Sequence, residues 1–320
     1  MKKSIILLAV VSASLVSCSK TEESHPEVKS GIPMSISVSL SDLTKTTTVD
    51  EGSVLKSTWD AEESISIITL DASKNGTVLE IDNFTSKGAA GRSSANFTGT
   101  FNGGDNPVKV IAVYPALEKD GDTYRTKPYK SNEGTSSILS GIKTYKKNLR
   151  IKVDYPPYQE GGCKHLKDYC VMVGKVDTKD LMRGKLSASL RHLMMVIKVT
   201  ATFPDAYKGG QIERVSLTHG SRFPFLFDTS AYADLDDFRF SGIMSPGMGT
   251  SVPVNMVIPA SGVVTVYIPC NPIGGDIRRD EWTFVASVKD KSNYRLTKKL
   301  TGDVTYEAGK MYRMDFRPGW

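Results

Sequence analysis

From residue 34 onward, apolar and polar positions alternate one by one. Met34, Ile36, Val38 and Leu40 are separated by Ser35, Ser37 and Ser39, the period-two signature of a strand with one buried face. The same alternation returns over Val252, Val254, Met256 and Ile258, over Val264, Val266 and Ile268, and over Tyr312, Met314 and Phe316. Further β-rich runs predict strands over 65–70, 78–84, 95–101, 108–114, 169–176, 193–202, 212–218 and 282–288. Turn-forming clusters separate them, among them Asn102-Gly103-Gly104-Asp105-Asn106-Pro107, Gly209-Gly210 and 272–276, where glycine, proline, asparagine and aspartate break regular structure. No segment sustains a helical apolar stripe beyond about two turns. The pattern predicts an all-β protein, and short strands with regular turn signals favour β-sandwiches.

A sandwich of this kind rarely needs more than about 150 residues, so the length predicts two. The polar stretch 175–185, with Asp177-Thr178-Lys179-Asp180 and Gly184, precedes the apolar run from Leu193 to Val199, which reads as a buried central strand. The expected domains are 34–180 and 181–320.

The N-terminal pattern differs from the rest. Lys2 and Lys3 precede an apolar run from Ile5 to Val11, and Leu15-Val16-Ser17-Cys18 follows. A cationic start, an apolar stretch too short to span a bilayer and a small-residue approach to cysteine predict a lipoprotein signal over 1–17, with Cys18 as the lipidated first residue of the mature chain. An ordinary export signal with an incidental cysteine is the plainer alternative. Residues 18–33 are polar and contain Pro26 and Pro33, which predicts a flexible tether. The expected location is the outer membrane and cell surface, held by lipid.

Charge and composition narrow the function classes. The chain carries 41 basic and 35 acidic residues; without Lys2 and Lys3 the balance is 39 against 35, or +4, too mild to predict a nucleic-acid partner. Cys163, Cys170 and Cys270 remain after Cys18, too few for a disulfide scaffold. Cys163 and Cys170 are a candidate disulfide across a short loop, and buried thiols behaving as small hydrophobes are the other reading.

Motifs for catalysis are sparse. The four histidines, His25, His165, His192 and His219, show no metalloprotease spacing, and no nucleophile elbow, phosphate loop or dinucleotide fingerprint occurs. No enzyme activity, cofactor or metal is expected. Cys163, His165 and Cys170 hold three zinc-capable groups within eight residues, but a fourth ligand and a known spacing are missing. Asp228, Asp234, Asp236 and Asp237, and Asp120 with Asp122, lack a calcium-loop spacing and read as turn aspartates. The run 143–152 mixes five cations with Tyr145 and reads as a solvated loop and edge strand, where lysines discourage edge-to-edge pairing.

Four segments carry a resemblance to a known family. They are Trp59-Asp60-Ala61-Glu62-Glu63-Ser64-Ile65-Ser66-Ile67, Asp168-Tyr169-Cys170-Val171-Met172-Val173-Gly174, the run from Leu190 to Val199, and the closing stretch from Tyr306 to Phe316. In this order they resemble the fimbrillins, surface and pilus proteins of anaerobic Gram-negative bacteria, with Glu62-Glu63 in place of the usual Gly-Asp. The resemblance implies two tandem transthyretin-like β-sandwiches and a role in pilus building or adhesion. It also implies export as a lipoprotein and, for polymerising subunits, removal of the first strand by an Arg-directed protease. A neighbouring subunit's strand then fills the open groove. On that model Met34, Ile36, Val38 and Leu40 are the candidate groove-filling strand, and the partners are other pilus subunits or surface ligands.

One departure bears on this model. From Cys18 through Gly91 there is no arginine, and the first is Arg92; only lysines such as Lys45 and Lys56 stand where trimming is expected. The first strand and the lipid are therefore expected to stay, which suits an anchor, an accessory or tip subunit, or a stand-alone adhesin. The rival reading is a lipid-anchored carbohydrate- or peptide-binding protein of an uptake system. Sugar sites favour exposed aromatics, and the chain has only Trp59, Trp282 and Trp320 as tryptophans.

Overall fold

The computed structural model describes residues 31–40, 47–50, 55–71, 77–104, 107, 109–126, 129–131, 134–136, 139–145, 148–154, 163, 166, 170–219, 230–238, 240–243, 249–270, 272, 276–277, 281–299, 304–305 and 307–318. The signal segment, Cys18, His25, His165 and Asp228 lie outside them, as does most of the tether. The protein is all-β: among the described residues there is no α-helix, only short 3-10 turns such as Leu181–Arg183 and Asp205–Tyr207.

In chain order the first strands are β1 (Ile32–Leu40), the hairpin of β2 (Thr47–Asp50) and β3 (Leu55–Thr58), β4 (Glu62–Asp71), β5 (Thr77–Lys87), β6 (Ser94–Phe101) and β7 (Lys109–Tyr114). Two small hairpins follow, β8 (Leu117–Asp120) with β9 (Thr123–Thr126) and β10 (Tyr129–Ser131) with β11 (Gly134–Ser136). Then come β12 (Leu139–Tyr145), β13 (Asn148–Asp154), β14 (Met172–Asp177) and β15 (Lys185–His192). Seven of these close on themselves in the order β1-β15-β14-β7-β4-β5-β6. Closure leaves no open edge in this sheet.

Inside the barrel lie Ile36, Val38, Trp59, Ile65, Ile67, Phe84 and Phe97, all fully buried, whereas Ile111, Val113 and Val173 are buried on its outward face. On the outward face of β4 and β5, Ser66 and Asn83 are partnered, as burial requires. Ser66 Oγ donates to Asn83 Oδ1 at 2.5 Å and accepts from Leu117 N at 2.7 Å, while Asn83 Nδ2 donates to Leu117 O at 2.9 Å.

The chain continues through β16 (Met195–Thr202), β17 (Gln211–His219), β18 (Ser230–Asp234), β19 (Phe240–Ile243), β20 (Gly249–Val257), β21 (Val263–Cys270), β22 (Asp276–Ile277), β23 (Glu281–Val288), β24 (Tyr294–Lys299), β25 (Val304–Thr305) and β26 (Met311–Phe316). Two sheets, β21-β16-β26 and β20-β17-β23-β24, enclose a second apolar cluster that includes Ile197, Val199, Leu217, Trp282, Phe284 and Phe316. This half is a β-sandwich.

The apolar run from Leu193 to Val199 now has a physical account. Met195, Ile197 and Val199 face the second cluster, whereas Leu193, Met194 and Val196 belong to the first. A central strand with apolar material on both faces shows no clean alternation. β15, beyond residue 180, hydrogen-bonds within the barrel to β1 and β14. Conversely, Ala233, Leu235 and Phe238 from beyond β17 are buried in the first cluster, and a further sheet, β12-β13-β18-β19, pairs strands from before and after residue 180.

Candidate functional site

β1 occupies a slot in the barrel between β6 and β15. Met34, Ile36 and Val38 are buried, with 4%, 0% and 0% of their surface exposed, and Leu40 is partly buried against the same cluster. Ser37 and Ser39 are exposed and Ser35 is half-buried. The alternation of the sequence is thus an alternation of faces.

Two different strands wall the slot. On one side β6 runs antiparallel, setting Met34 opposite Gly99, Ile36 opposite Phe97 and Val38 opposite Ala95. On the other side β15 runs parallel, setting Ile36 opposite Leu186, Val38 opposite Ala188 and Leu40 opposite Leu190. Gly99 is required by close approach: a Cβ there would meet Asn83 O and Phe84 Cγ, each at 2.8 Å. Beyond the two ladders, Ser35 N donates to Gly184 O at 3.1 Å and Leu40 N to Ser93 O at 3.0 Å. Pro33, which has no N–H to give, stands near the strand's start, where a strand tolerates proline.

β15 was not among the strands expected from the sequence, although its signal is plain in hindsight. Leu186, Ala188, Leu190 and His192 are buried and Lys185, Ser187, Ser189 and Arg191 exposed in strict alternation. Small residues at one inner position, Ala188, and at two outer ones, Ser187 and Ser189, together with the polar residues that precede the strand, hid it.

Trp59 of the fimbrillin-like segment is fully buried beside this slot. Its indole meets Phe97 edge-on, with centroids 5.1 Å apart, and Tyr114 edge-on at 5.6 Å. Its backbone is fixed by Trp59 N donating to Arg92 O and Gly91 N donating to Trp59 O, both at 2.9 Å. Tyr114 is pushed well above the usual phenol range, first by burial and then by the nearby charge of Glu63, which also accepts a hydrogen bond from the phenol. The Glu62-Glu63 pair that departs from the family pattern therefore supplies a partner for a buried hydroxyl.

The remaining sequence candidates are dispersed. No disulfide joins Cys163 to Cys170. Cys170 is buried with its Sγ turned to His192, 3.4 Å from Nδ1, and Cys163 is half-buried at the margin of the first cluster. Cys270 lies on β21. The aspartates near residue 234 face cations: Asp234 pairs with Arg150 at 2.8 Å, Asp236 with Lys109, and the carbonyl of Asp237 accepts from Arg191 at 2.9 Å. Asp120 pairs with Arg125. Within the basic run, Arg150 is committed to Asp234, in a pair whose side chains are 14% and 11% exposed. What this arrangement can do is packing and strand pairing, and among the described residues no cluster of three metal-ligating side chains forms.

Comparison with known proteins gives structural neighbours only. No family model and no curated relative matches this chain. Its structural neighbours are fimbrial and cell-adhesion proteins. One, assigned to cell adhesion, from Bacteroides uniformis, is 15% identical, with 89% of this chain and 93% of that one covered and a TM-score of 0.46. A fimbrial protein from Bacteroides vulgatus is 12% identical, with coverage of 90% and 96% and a TM-score of 0.37. The fimbrial anchor protein Mfa2 from Porphyromonas gingivalis is 9% identical, with coverage of 79% and 78% and a TM-score of 0.34.

Proposed function

We propose that this chain is a lipid-anchored structural or adhesive protein of the bacterial surface, of fimbrillin type, that keeps its own first strand. It serves as a pilus anchor, accessory or tip subunit, or as a stand-alone adhesin, and it acts through strand and surface contacts without catalysis. The observation that carries this reading is β1. It lies between two strands of unlike direction and fills the interior with Met34, Ile36 and Val38, while the chain from Cys18 through Gly91 offers no arginine for removal of that strand. An added strand of this kind draws affinity from backbone hydrogen bonds and specificity from alternate side chains entering pockets. Held in its own chain, it occupies the slot that an open subunit would present to a neighbour. Two tandem transthyretin-like units, the first including residues 34–180, are part of the same proposal, as is Cys18 as the acylated mature start.

Mass spectrometry of the protein extracted from the cell surface tests this. The expected mature product starts at Cys18, carries acyl chains and retains Ile32–Leu40. A lipid-free product starting after Lys45 or Lys56 would overturn the reading.

A further inference from the structure

We propose that the end of the barrel from which the N-terminal segment leaves is a lipid-facing surface, resting against the membrane that anchors the chain; this builds on the reading of Cys18 as an anchor. Among the described residues, the large apolar side chains that stand exposed are Ile32 at 38%, Leu79 at 53%, Met182 at 81%, Val257 at 60% and Val263 at 43%. Strand register gathers the first three at one end. Ser35 pairs with Lys185 at the start of the parallel ladder, so the turn that carries Met182 and leads into β15 stands at the end where β1 begins with Ile32. Ile32 also pairs with Phe101, the last residue of β6, and Phe84 pairs with Gly99 of the same strand. Leu79, five residues before Phe84, therefore lies beyond Phe101 at that same end.

Around the barrel these residues belong to the arc β15, β1, β6, β5. Neighbouring strands stand about 4.8 Å apart, so across the strands the three apolar side chains span about 15 Å. The turn that carries Met182 is held from within and behind. Leu181 is buried, Leu181 N donates to Thr178 O at 3.0 Å, Gly184 N to Leu181 O at 2.9 Å, and Ser35 N to Gly184 O at 3.1 Å. Gly184, with φ of 69°, closes the turn in a conformation that favours glycine. A fixed turn that buries one apolar side chain and extends the next into solvent presents Met182 outward.

The occupant follows from where the chain leaves. Gly31 immediately precedes β1 at this end, and Cys18 stands thirteen residues earlier, 31 minus 18. Thirteen residues reach at most about 45 Å when fully extended. An acylated Cys18 keeps this end, before any other, at high local concentration over the bilayer. The nearby charges almost cancel. Lys179 pairs with Asp177 at 3.4 Å and Arg183 with Asp180 at 2.9 Å, and exposed Lys185 faces exposed Glu80 in the count. The contact is therefore carried by apolar side chains entering the headgroup layer, with the charged groups at its rim. Val257 and Val263 lie at the ends of a connection in the sandwich half, where Val263 pairs with Thr202 at the far end of β16, and serve as an internal contrast.

The test holds the chain from residue 19 onward by an N-terminal decahistidine on nickel-chelating vesicles of phosphatidylethanolamine and phosphatidylglycerol with brominated acyl chains. Met182→Trp and Val263→Trp are compared, each after subtraction of the parent's emission. Quenching at M182W at least about twofold that at V263W is expected for a side chain in the headgroup and acyl boundary, and it should be lost in M182W carrying Ile32→Ser and Leu79→Ser. Equal quenching at both positions overturns the proposal. So does a dimer, detected by light scattering without vesicles and abolished by Met182→Ser, because that end would then be a protein interface. Since the histidine tag replaces the acyl chains, failure here is separate from failure of Cys18 acylation, which the mass spectrum reads.

Discussion

At the scale of single residues, Trp59 shows how burial and polarity compete in this interior. The indole is fully buried and packs edge-on against Phe97 and Tyr114, geometry in which aromatic pairs gain beyond their buried area. Yet its Nε1–H finds no hydrogen-bond partner among the described residues, and an unmet buried donor carries a desolvation cost. The two effects predict different outcomes for two substitutions. Trp59→Ala leaves a large cavity and should cost about 3–5 kcal/mol. Trp59→Phe keeps an aromatic ring while deleting the orphan donor, and should cost less than about 1.5 kcal/mol, as volume-tolerant swaps do. Urea unfolding followed by far-UV circular dichroism separates these. Equal losses for both would mean that the indole nitrogen has a partner and that its hydrogen bond, not its volume, matters at this position.

At the scale of elements, the strands that sequence patterning reveals are those with one apolar and one polar face, or with an apolar run. β1, β4, β5, β6, β7, β17, β20, β21, β23 and β26 were all legible this way, and so was the central position of β16. Register and partner choice were not, because alternation specifies a face and not the neighbour that covers it. β15 illustrates the gap: its inner residues Leu186, Ala188 and Leu190 alternate cleanly, but nothing local announces that they wall the slot beside β1 in parallel. For the site, the four inward positions of β1 were legible in the sequence, while the walls, Phe97, Gly99 and Ala188, required the fold. The hairpins β2–β3 and β8–β9 are built from polar and mixed residues and gave no periodic signal.

The face assignment of β1 is open to a direct contrast. Val38 is buried and Ser37, its neighbour in the chain, is exposed. An aspartate at each position adds the same charge to the same strand on opposite faces. Val38→Asp puts an unpaired carboxylate into an apolar interior and should cost upwards of about 3 kcal/mol or abolish folding. Ser37→Asp should stay within about 0.5 kcal/mol, as exposed substitutions do. The urea midpoint reads both, and similar losses at the two positions would show that β1 does not fill the slot in this register.

At the scale of the whole molecule, two apolar clusters raise the question of whether the chain unfolds in one step or two. Residues 31–320 form one connected unit, and the connections run in both directions. β15 completes the barrel, Tyr267 of β21 is buried against the first cluster, and Ala233, Leu235 and Phe238 insert into it from the second half. Arg191 reaches the same segment, with its guanidinium 5.4 Å from the centre of the Phe238 ring and an N–H donated to Asp237 O. The joint is pinned by the β13–β18 ladder, in which Arg150 stands opposite Asp234 and their side chains form a shielded ion pair at 2.8 Å. A buried pair adds little over a well-packed apolar substitute, but removing one partner strands the other charge and costs about 3–5 kcal/mol. The parent should therefore unfold in one transition, with Trp59 reporting the first cluster and Trp282 the second, each read in a background where the other tryptophan and Trp320 are phenylalanine. Asp234→Ala removes the carboxylate opposite Arg150 beside the first cluster, so the transition seen by Trp59 should move to lower urea while that seen by Trp282 moves less. Arg150→Met with Asp234→Leu, which removes both charges and keeps volume, should bring the two midpoints back together. Coincident midpoints in Asp234→Ala would show that the two clusters are coupled by packing alone and that the ion pair does not hold the joint.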